Sequence, residues 1–392
     1  MEQSLGVYIS VPFCRAKCTF CNFASGAFAL ERLDGYVERL CEEIRAARGY
    51  AAGLGARAPE VVDSVYFGGG TPSLLTAAQL ERIFGALRGE FTVTPDAEIT
   101  LECAPGQMAE ATLEAGMRLG MNRVSFGVQS FVDAETAAVG RLHTAAMCVE
   151  EIGRMRSAGL KEISVDLIAG LPRQTRASWE RSLERVLESG VPHASVYMLE
   201  VDEESRLGKE LIAGGPRYGA TAVPTDEAMT EFYARAEVAF GAAGLAQYEI
   251  SNFAREGHAS RHNLKYWQRA PYWGFGLDAA SMLRRGPGEG AVRLANPDGL
   301  EAYLDGGQRE VTEVDEGAAF EEALFLGLRL NAGVSLDGLE AEFGRARVEG
   351  VLPAIGEMVA GGTLDRDGVR VRLTERGRMV SNEVFAELLG SE

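Results

Sequence analysis

Three cysteines lie within eight residues near the start of the chain, in the stretch FCRAKCTFCNF. Their spacing is C-x3-C-x2-C, on the loop that follows a strand-like run, VYISVP. Clustered thiolates bind zinc or iron–sulfur clusters, but structural zinc needs four ligands, and no fourth cysteine or histidine lies nearby in the sequence. Three thiolates leave one iron of a [4Fe-4S] cluster open to an exogenous amino-acid group. We predict that Cys14, Cys18 and Cys21 hold such a cluster.

The other cysteines, Cys41, Cys103 and Cys148, are not clustered and are predicted to be small buried hydrophobic residues. An alternative for the three-cysteine loop is a zinc site completed by a distant residue, in a protein without catalytic activity. Metal analysis that finds zinc without iron or sulfide would support that alternative.

The elements that must position these cysteines form a regular series. Short β-rich runs recur, and each is followed by a stretch with helical spacing. Parallel strands joined by crossover helices form an open doubly wound sheet or a closed or partial barrel, with active residues at the carboxyl ends of the strands. The six runs are VYISVP from Val7, SVYFGG from Ser64, EITLEC from Glu98, RVSFGVQ from Arg123, EISVDLIAG from Glu162 and HASVYMLEV from His193.

The second half of the chain changes character. After Thr225 a helix-like segment precedes QYEISNFA, which we predict to be one extra strand beside the sheet. The tail has helical stretches, a hairpin with an Asp-Gly turn in TLDRDGVRVRLT, and a last helix. Helices with a β-hairpin are typical of a winged-helix module, but acidic residues outnumber basic ones in this tail, so we favour a packing or lid domain over a DNA-binding one.

Composition narrows the function. The chain has 392 residues, 46% hydrophobic and 24% charged, with a formal net charge of −18. Such a charge repels nucleic acid phosphates and anionic lipid surfaces, so we expect no nucleic acid partner. We find no apolar run of membrane-spanning length and no secretory signal at the N-terminus. Three close cysteines suit a reducing compartment, and we expect a cytoplasmic protein.

Several blocks together resemble radical SAM proteins of the oxygen-independent coproporphyrinogen III oxidase group, especially its heme chaperone (HemW-like) branch. The resemblance runs from Val7 to about Ser281, with a weaker similarity in the tail. It implies a [4Fe-4S] cluster whose open iron takes S-adenosyl-L-methionine (SAM). The blocks, in family order, are YISVPFCRAKCTFCNF, YFGGGTPSLL, RVSFGVQSF, GRLH, VDLIAGLPRQT and YEISNFAREGHASRHNLKYW.

The resemblance also implies the architecture. We expect an α/β fold, a partial (β/α)6 radical SAM barrel with a C-terminal helical, winged-helix-like domain. The predicted domains are 1–225 for the barrel, 226–304 for a barrel extension with the HNLKYW segment, and 305–392 for the C-terminal domain.

The resemblance also implies SAM-binding roles for residues at the ends of the strands. The glycines of GGGTP allow backbone to approach a ligand that a Cβ would exclude. Glu102 can accept a charge-assisted hydrogen bond from the SAM ammonium, Gln129 and Asp166 can reach ribose hydroxyls, and Arg141 can pair with the SAM carboxylate. No catalytic residue is assigned. The SAM contacts that the resemblance implies are Tyr8, Phe20, Gly69, Gly70, Thr71, Glu102, Gln129, Arg141 and Asp166.

Two features favour the chaperone branch. The oxidases resembled here carry another cysteine two residues after the last cluster ligand, where this chain has Phe23, and they have a longer N-terminal arm. HNLKYW also matches the family pattern associated with heme binding, which implies heme contacts at His262, Tyr266 and Trp267. An imidazole can ligate heme iron and the aromatic rings can pack a macrocycle, although a loop with aromatics buried on the core is the simpler alternative.

The favoured hypothesis is therefore a heme chaperone that passes heme to an acceptor protein, such as a respiratory enzyme, and takes electrons from a donor protein. The alternative is an oxygen-independent coproporphyrinogen III oxidase, which converts propionates to vinyl groups by radical decarboxylation. One departure from the family pattern concerns the loop GFGLDAAS, in which Leu277, Asp278 and Ala280 replace residues that keep that loop small. Asp278 adds a charge near any pocket there.

Overall fold

The first half of the chain forms the predicted series of parallel strands. The structure, a computed structural model, describes residues 4–285 and 290–388. Each of the six predicted runs is a strand, and each pairs in parallel with the next along the chain. The strands are β1 Leu5–Val11, β2 Val61–Gly69, β3 Thr92–Cys103, β4 Arg123–Gln129, β5 Glu162–Ala169 and β6 His193–Met198.

Helices connect these strands and bury apolar faces against the sheet. Helix α3 (Ala77–Glu90), which follows β2, is an example. Thr76 and Gln79 cap its first turn reciprocally, and its apolar residues Ile83 and Leu87 are fully buried. The helices are α1 Leu33–Arg45, α2 Ala47–Gly53, α3 Ala77–Glu90, α4 Glu110–Arg118, α5 Asp133–Ala138, α6 Ala145–Ser157, α7 Arg176–Ser189 and α8 Arg206–Ile212.

The middle of the chain extends the sheet at both edges. The predicted single strand in QYEISNFA is wrong: it is two short antiparallel strands, because the chain reverses direction at Ile250 and Ser251. The elements are α9 Asp226–Ala242, β7 Ala246–Glu249, β8 Asn252–Ala254, α10 Arg261–Trp267, β9 Tyr272–Phe275, β10 Ala280–Arg284, β11 Ala291–Ala295, α11 Leu300–Leu304 and β12 Glu310–Val314.

Together these strands form one twelve-stranded sheet in the order β12-β11-β10-β9-β1-β2-β3-β4-β5-β6-β8-β7. β9 is parallel to β1, whereas β8 is antiparallel to β6. The outermost strands, β12 and β7, lie at opposite ends of this order, so the sheet is a partial barrel. The predicted fold class is confirmed.

Helix α10 is held at the amino ends of the strands by a buried carboxylate. Glu98, at the start of the parallel part of β3, accepts hydrogen bonds from the backbone N–H groups of Arg261 and His262, both at 2.9 Å, and from the Ser260 hydroxyl at 3.1 Å. Lys265 in the same helix pairs with Asp63 of β2 at 2.7 Å. Negative charge at a helix N-terminus is stabilising, so α10 forms a fixed floor to the barrel.

The tail is a helical module with a small sheet in the order β13-β15-β14. The predicted Asp-Gly turn joins the last two strands, with Gly368 at φ +60°. β12 still pairs with β11 of the main sheet, which favours a boundary near Val314 over the predicted 305; the domain limits otherwise stay a prediction. The elements are α12 Glu316–Leu328, β13 Val334–Ser335, α13 Leu336–Phe343, α14 Arg345–Ala360, β14 Leu364–Asp367, β15 Arg370–Leu373, α15 Glu375–Met379 and α16 Ser381–Leu388.

A helix that crosses a bilayer must be long and predominantly apolar. Within residues 4–285 and 290–388, no helix is both long and apolar enough to cross a membrane.

Replacing the floor carboxylate should destabilise the fold. Glu98→Gln keeps the shape of the side chain but turns one acceptor into a donor that faces the N–H of Arg261. We expect the free energy of unfolding to fall by roughly 1–3 kcal/mol, the usual cost of losing buried hydrogen bonds to a charged group. Urea unfolding monitored by circular dichroism measures it. The control is Glu81→Gln, in an exposed pair with Arg118, which should change stability by less than about 0.5 kcal/mol. Equal effects of the two variants would contradict the role of Glu98.

Candidate functional site

The three-cysteine loop leaves the carboxyl end of β1 and is held by backbone hydrogen bonds on both sides. The N–H of Cys14 donates to the carbonyl of Gly26 at 2.9 Å, and the N–H of Thr19 donates to that of Val139 at 3.0 Å. The N–H of Leu207 donates to the carbonyl of Thr19 at 2.8 Å. The loop therefore has a defined path although it contains no regular secondary structure over the cysteines.

All six cysteines are free thiols, and Cys14, Cys18 and Cys21 line one cavity. Burial raises the pKa of the Cys14 thiol. The guanidinium of Arg141 donates a hydrogen bond to the Cys18 sulfur at 3.3 Å. Within the described residues, no three Cys, His, Asp or Glu side chains already stand in a metal-binding arrangement. The loop thus offers the right ligand types around one space, and cluster binding would draw the sulfurs together.

The glycine turn after β2 packs directly against this loop. The N–H of Gly70 donates to the carbonyl of Val11 at 2.9 Å, and the N–H of Thr71 donates to that of Phe13 at 2.8 Å. A Cβ at Gly70 would come within 2.8 Å of the carbonyl oxygens of Val11 and Phe13. Gly70 is therefore needed for loop packing, a reason that differs from the ligand approach predicted from the sequence. Gly69 adopts φ +100°, which favours glycine.

Two half-buried carboxylates, Glu102 and Asp166, lie at the ends of β3 and β5. Burial, with a smaller contribution from Asp166, raises the pKa of Glu102 to about 7; Tyr66 donates to its Oε1 at 2.9 Å. Burial also raises the pKa of Asp166 to about 6, although Ser125 donates to both of its oxygens at 3.1 Å. Neither carboxylate is in a salt bridge with a described residue. Both are suited to a cationic ligand such as the ammonium and sulfonium of SAM.

The end of β4 connects this pair to the cluster loop. Gln129 has φ +68°, an uncommon left-handed conformation for a residue other than glycine, at a register shift between β4 and β5. Arg141 donates to the carbonyl of Gly127 and also contacts Cys18, while its Nε is buried without a partner among the described residues. A strained Gln129 and an incompletely satisfied guanidinium at one strand end are typical of a ligand site.

The structure brings most of the predicted SAM residues together. Tyr8 is the exception: it stacks against Tyr66 inside the barrel, with ring centroids 6.2 Å apart, and is not part of the cavity wall. Those that line the same cavity as the cysteines are Phe20, Gly69, Gly70, Thr71, Glu102, Gln129, Arg141 and Asp166. Their assignment as SAM contacts stays a prediction.

The cavity is large and extends to the C-terminal module. Its volume is about 750 Å³, in the range of small-molecule sites. Residues of β6 and α9 form the middle of its wall, including Tyr197 and Met229. Arg329, directly after α12, and residues between Arg378 and Glu383 also line it. The C-terminal module therefore covers the open end of the barrel, as expected of a lid or packing domain.

The predicted heme residues lie elsewhere, in the barrel floor. His262 is 1% exposed, and both ring nitrogens are hydrogen-bonded: Nδ1 to the Ser64 hydroxyl at 3.0 Å and Nε2 to the Tyr266 hydroxyl at 2.8 Å. Burial lowers the pKa of His262 to about 3, so the ring is neutral. Neither His262, Tyr266 nor Trp267 lines the cavity, although Trp267 stacks against Arg329, which does.

Some site residues escaped sequence reasoning. Tyr66 could have been found, because Ser64, Tyr66 and Gly68 alternate along β2 and therefore face the barrel interior. Arg329 and Arg378 had no recognisable signal, since their position depends on how the tail folds back over the barrel. Asp278 adopts φ +57° and is exposed; it does not line the cavity.

Comparisons with known proteins agree with this geometry. The radical SAM superfamily pattern matches residues 8–186, and the HemN C-terminal domain pattern matches residues 314–380. The solved structure of coproporphyrinogen III oxidase (HemN) from Escherichia coli, a radical SAM enzyme, is similar with a TM-score of 0.82 at 22% identity, over 99% of this chain and 90% of that one. At this identity the similarity shows the fold. The fold and the three-cysteine loop define a radical SAM protein.

Curated relatives narrow the family. The heme chaperone HemW of Synechocystis sp. (strain PCC 6803) is 37% identical over 337 residues, which cover 84% of this chain and 78% of the relative. That of Bacillus subtilis (strain 168) is 31% identical over 391 residues, 98% of each chain. The chain belongs to the HemW-like group of the radical SAM superfamily, and the predicted resemblance is confirmed.

Membership in the superfamily implies a [4Fe-4S] cluster and SAM. The described residues fit both groups: three thiols line one space, Arg141 donates to one of them, and the two half-buried carboxylates in the same cavity form no salt bridge with a described residue.

The raised carboxylate pKa values predict pH-dependent SAM binding. A cationic ligand favours the ionised forms of Asp166 and Glu102, so we expect the affinity for SAM to increase as pH rises through about 6 and about 7, and to level off above them. Isothermal titration of SAM into anaerobic, cluster-reconstituted protein at a series of pH values measures it.

Glu102→Gln is the matched variant. It should bind SAM about 10- to 100-fold more weakly and lose the upper part of the pH dependence, because a charge-assisted hydrogen bond is worth about 1.5–3 kcal/mol. The raised pKa of Glu102 also means that the native state binds a proton more tightly than the unfolded state does. The stability of the ligand-free protein should therefore fall as pH rises from the ordinary pKa of a glutamate to about 7. An affinity that does not vary with pH would contradict the proposed ionisation.

Proposed function

We propose that this chain is a radical SAM heme chaperone, which binds a [4Fe-4S] cluster with SAM, binds heme, and transfers heme to an acceptor protein. One observation carries the proposal: a single cavity of about 750 Å³ extends from the cluster cysteines to the C-terminal module. A site of this size leaves room for a large ligand beside SAM. The full-length similarity to proteins named heme chaperone HemW supports the choice of heme as that ligand.

The chain's own residues would prepare the SAM site. Cys14, Cys18 and Cys21 would hold the cluster, which when bound can supply one electron to the sulfonium of SAM. Glu102 would orient the SAM amino group, and the Tyr66 hydroxyl fixes that carboxylate from behind at 2.9 Å. Arg141 would donate hydrogen bonds to the SAM carboxylate, since its buried Nε–H has no partner among the described residues. Gly70 keeps the turn after β2 close against the cluster loop, because a Cβ there would meet the carbonyl oxygens of Val11 and Phe13.

Phe23 argues against the oxidase alternative. It lines the cavity beside the cluster loop and is 64% exposed, at the position where the resembled oxidases carry a cysteine. A phenyl ring has no thiol to donate a hydrogen atom or proton. An exposed aromatic ring at the cavity mouth is instead suited to contact a macrocycle or a partner protein.

The position of heme in this proposal differs from the simple reading of HNLKYW. Both ring nitrogens of His262 are hydrogen-bonded and the ring lies outside the cavity, so it could ligate heme iron only if one of these bonds broke and the ring became accessible. The cavity requires no such change. We therefore propose that heme binds in the cavity, and the ligation of its iron by His262 stays a prediction.

The partners follow from the same proposal. An electron donor protein would reduce the cluster, and the heme acceptor would be a protein such as a respiratory enzyme. Six free cysteines are compatible with a cytoplasmic, reducing environment.

Anaerobic turnover separates chaperone from oxidase. The cluster is reconstituted, SAM, reductant and coproporphyrinogen III are added, and protoporphyrinogen IX is sought by chromatography after oxidation. We expect no product above background, while the protein contains iron and sulfide and binds both SAM and heme. Product that disappears in Cys18→Ala would make this chain an oxidase. Zinc without iron or sulfide would support the non-catalytic zinc-loop alternative.

His262→Ala tests the role of the floor histidine. The variant leaves a void and two unpaired hydroxyls, so we expect the free energy of unfolding to fall by about 2–4 kcal/mol. Because heme binds in the cavity in this proposal, and His262 does not line that cavity, the absorption spectrum of bound heme should not change. The matched control is His258→Ala, since His258 is partly exposed and pairs with Glu162. Loss of heme affinity with an altered Soret band in His262→Ala, but not in His258→Ala, would show instead that His262 ligates the iron.

A further inference from the structure

Arg329 is the starting point for an inference about how the cavity selects its ligand. It follows directly after α12, and the neighbouring Leu330 forms a β-bridge with Glu249 at the end of β7. β7 is one edge of the main sheet, seven strand positions from β1, which carries the cluster loop. Arg329 and the cysteines line the same cavity. Because they are attached to strands that are distant in the sheet, they lie on different parts of its wall.

The guanidinium of Arg329 is held in place by an aromatic ring. Its Cζ lies 4.3 Å from the centroid of Trp267, a cation–π contact that orients a planar group. The Nε of Arg329 is buried and has no hydrogen-bond partner among the described residues. The side chain is therefore fixed in position while part of its donor capacity is unused.

No salt bridge to a described residue neutralises Arg329, whereas Arg378 in the same wall pairs with Glu237 at 2.5 Å. Glu249 is close enough for its charge to interact with that of Arg329; its Oε1 accepts hydrogen bonds from Asn252 and from the N–H of Ser251, and its Oε2 is buried without a hydrogen-bond partner among the described residues. Burial raises the pKa of Glu249, and the positive charge of Arg329 lowers it. Arg329 thus has donor capacity that no described salt bridge uses.

The cavity wall that includes Arg329 also carries large apolar and aromatic side chains. Met229, Tyr233 and Met379 line the same cavity. A ligand that suits this wall has a large apolar body and a carboxylate at its edge. The planar fork of a guanidinium matches a carboxylate with two parallel hydrogen bonds.

We propose that Arg329, oriented by Trp267, is a carboxylate-binding residue of the cavity and holds a propionate side chain of the tetrapyrrole. The inference rests on the proposed heme function and adds to it a specific contact. It also gives a role to Trp267 of the HNLKYW segment that does not require the floor helix to move.

The test compares heme with its dimethyl ester, in which both propionates are neutral. Binding of each probe to cluster-reconstituted protein is followed by absorption and by quenching of tryptophan fluorescence. Arg329→Gln should bind heme about 10- to 100-fold more weakly, because a hydrogen bond to a charged group is lost, and should bind the ester as the unchanged protein does. Arg329→Lys, which keeps the charge but not the fork, should lie between.

Controls separate this contact from folding and from SAM binding. Arg88→Gln removes an arginine that packs on Phe84 outside the cavity, at 5.3 Å, and should leave both affinities unchanged. Equal weakening of heme and ester in Arg329→Gln would indicate a structural role and overturn the inference, as would loss of SAM affinity instead of heme affinity. If the unchanged protein binds neither heme nor ester, the proposed function itself fails.

Discussion

The cofactor site depends on one close backbone contact, that between the three-cysteine loop and the glycine turn after β2. Gly70 and Thr71 donate to carbonyls at Val11 and Phe13, and the space leaves no room for a Cβ at Gly70. Because β1 and β2 are neighbouring parallel strands in register, this contact follows from the sheet, and it fixes the cluster loop beside the carboxyl ends of all six strands. The carboxylates at the ends of β3 and β5 then face one cavity together with Arg141 and the cysteines, which lie on loops.

Much of this arrangement could be predicted from the sequence, for physical reasons that differ between its parts. The six strands are short buried runs of β-branched and aromatic residues, so their pattern is strong, and the motif residues lie within a few positions of strand ends. The reversal at Ile250 and Ser251 was missed because eight residues can be read as one strand or as two. The far wall of the cavity could not be predicted, since Arg329 and Arg378 reach it only through tertiary packing of the tail.

For the HNLKYW segment, the role predicted from the sequence motif differs from the position of the residues in the structure. A histidine beside two aromatic residues suggests a heme ligand, but burial and hydrogen bonding have already used both ring nitrogens of His262. The signal that could have indicated this lies far away in the sequence, at Glu98, whose carboxylate caps the helix that carries His262. A local pattern cannot reveal a partner 164 residues distant.

The floor and the SAM site are also physically connected. His262 stacks on Tyr66 with ring centroids 5.3 Å apart, and Tyr66 donates to Glu102. Removing His262 from the floor would therefore break two hydrogen bonds, each worth about 0.5–1.5 kcal/mol net, expose one face of Tyr66 and disturb the carboxylate at the SAM site. A heme that bound through His262 would disturb the contacts that orient Glu102 at the SAM site. A heme held in the cavity by Arg329 would leave those contacts intact. If heme and SAM are bound at the same time, the cavity is therefore the favoured heme site, because binding there breaks neither hydrogen bond of His262.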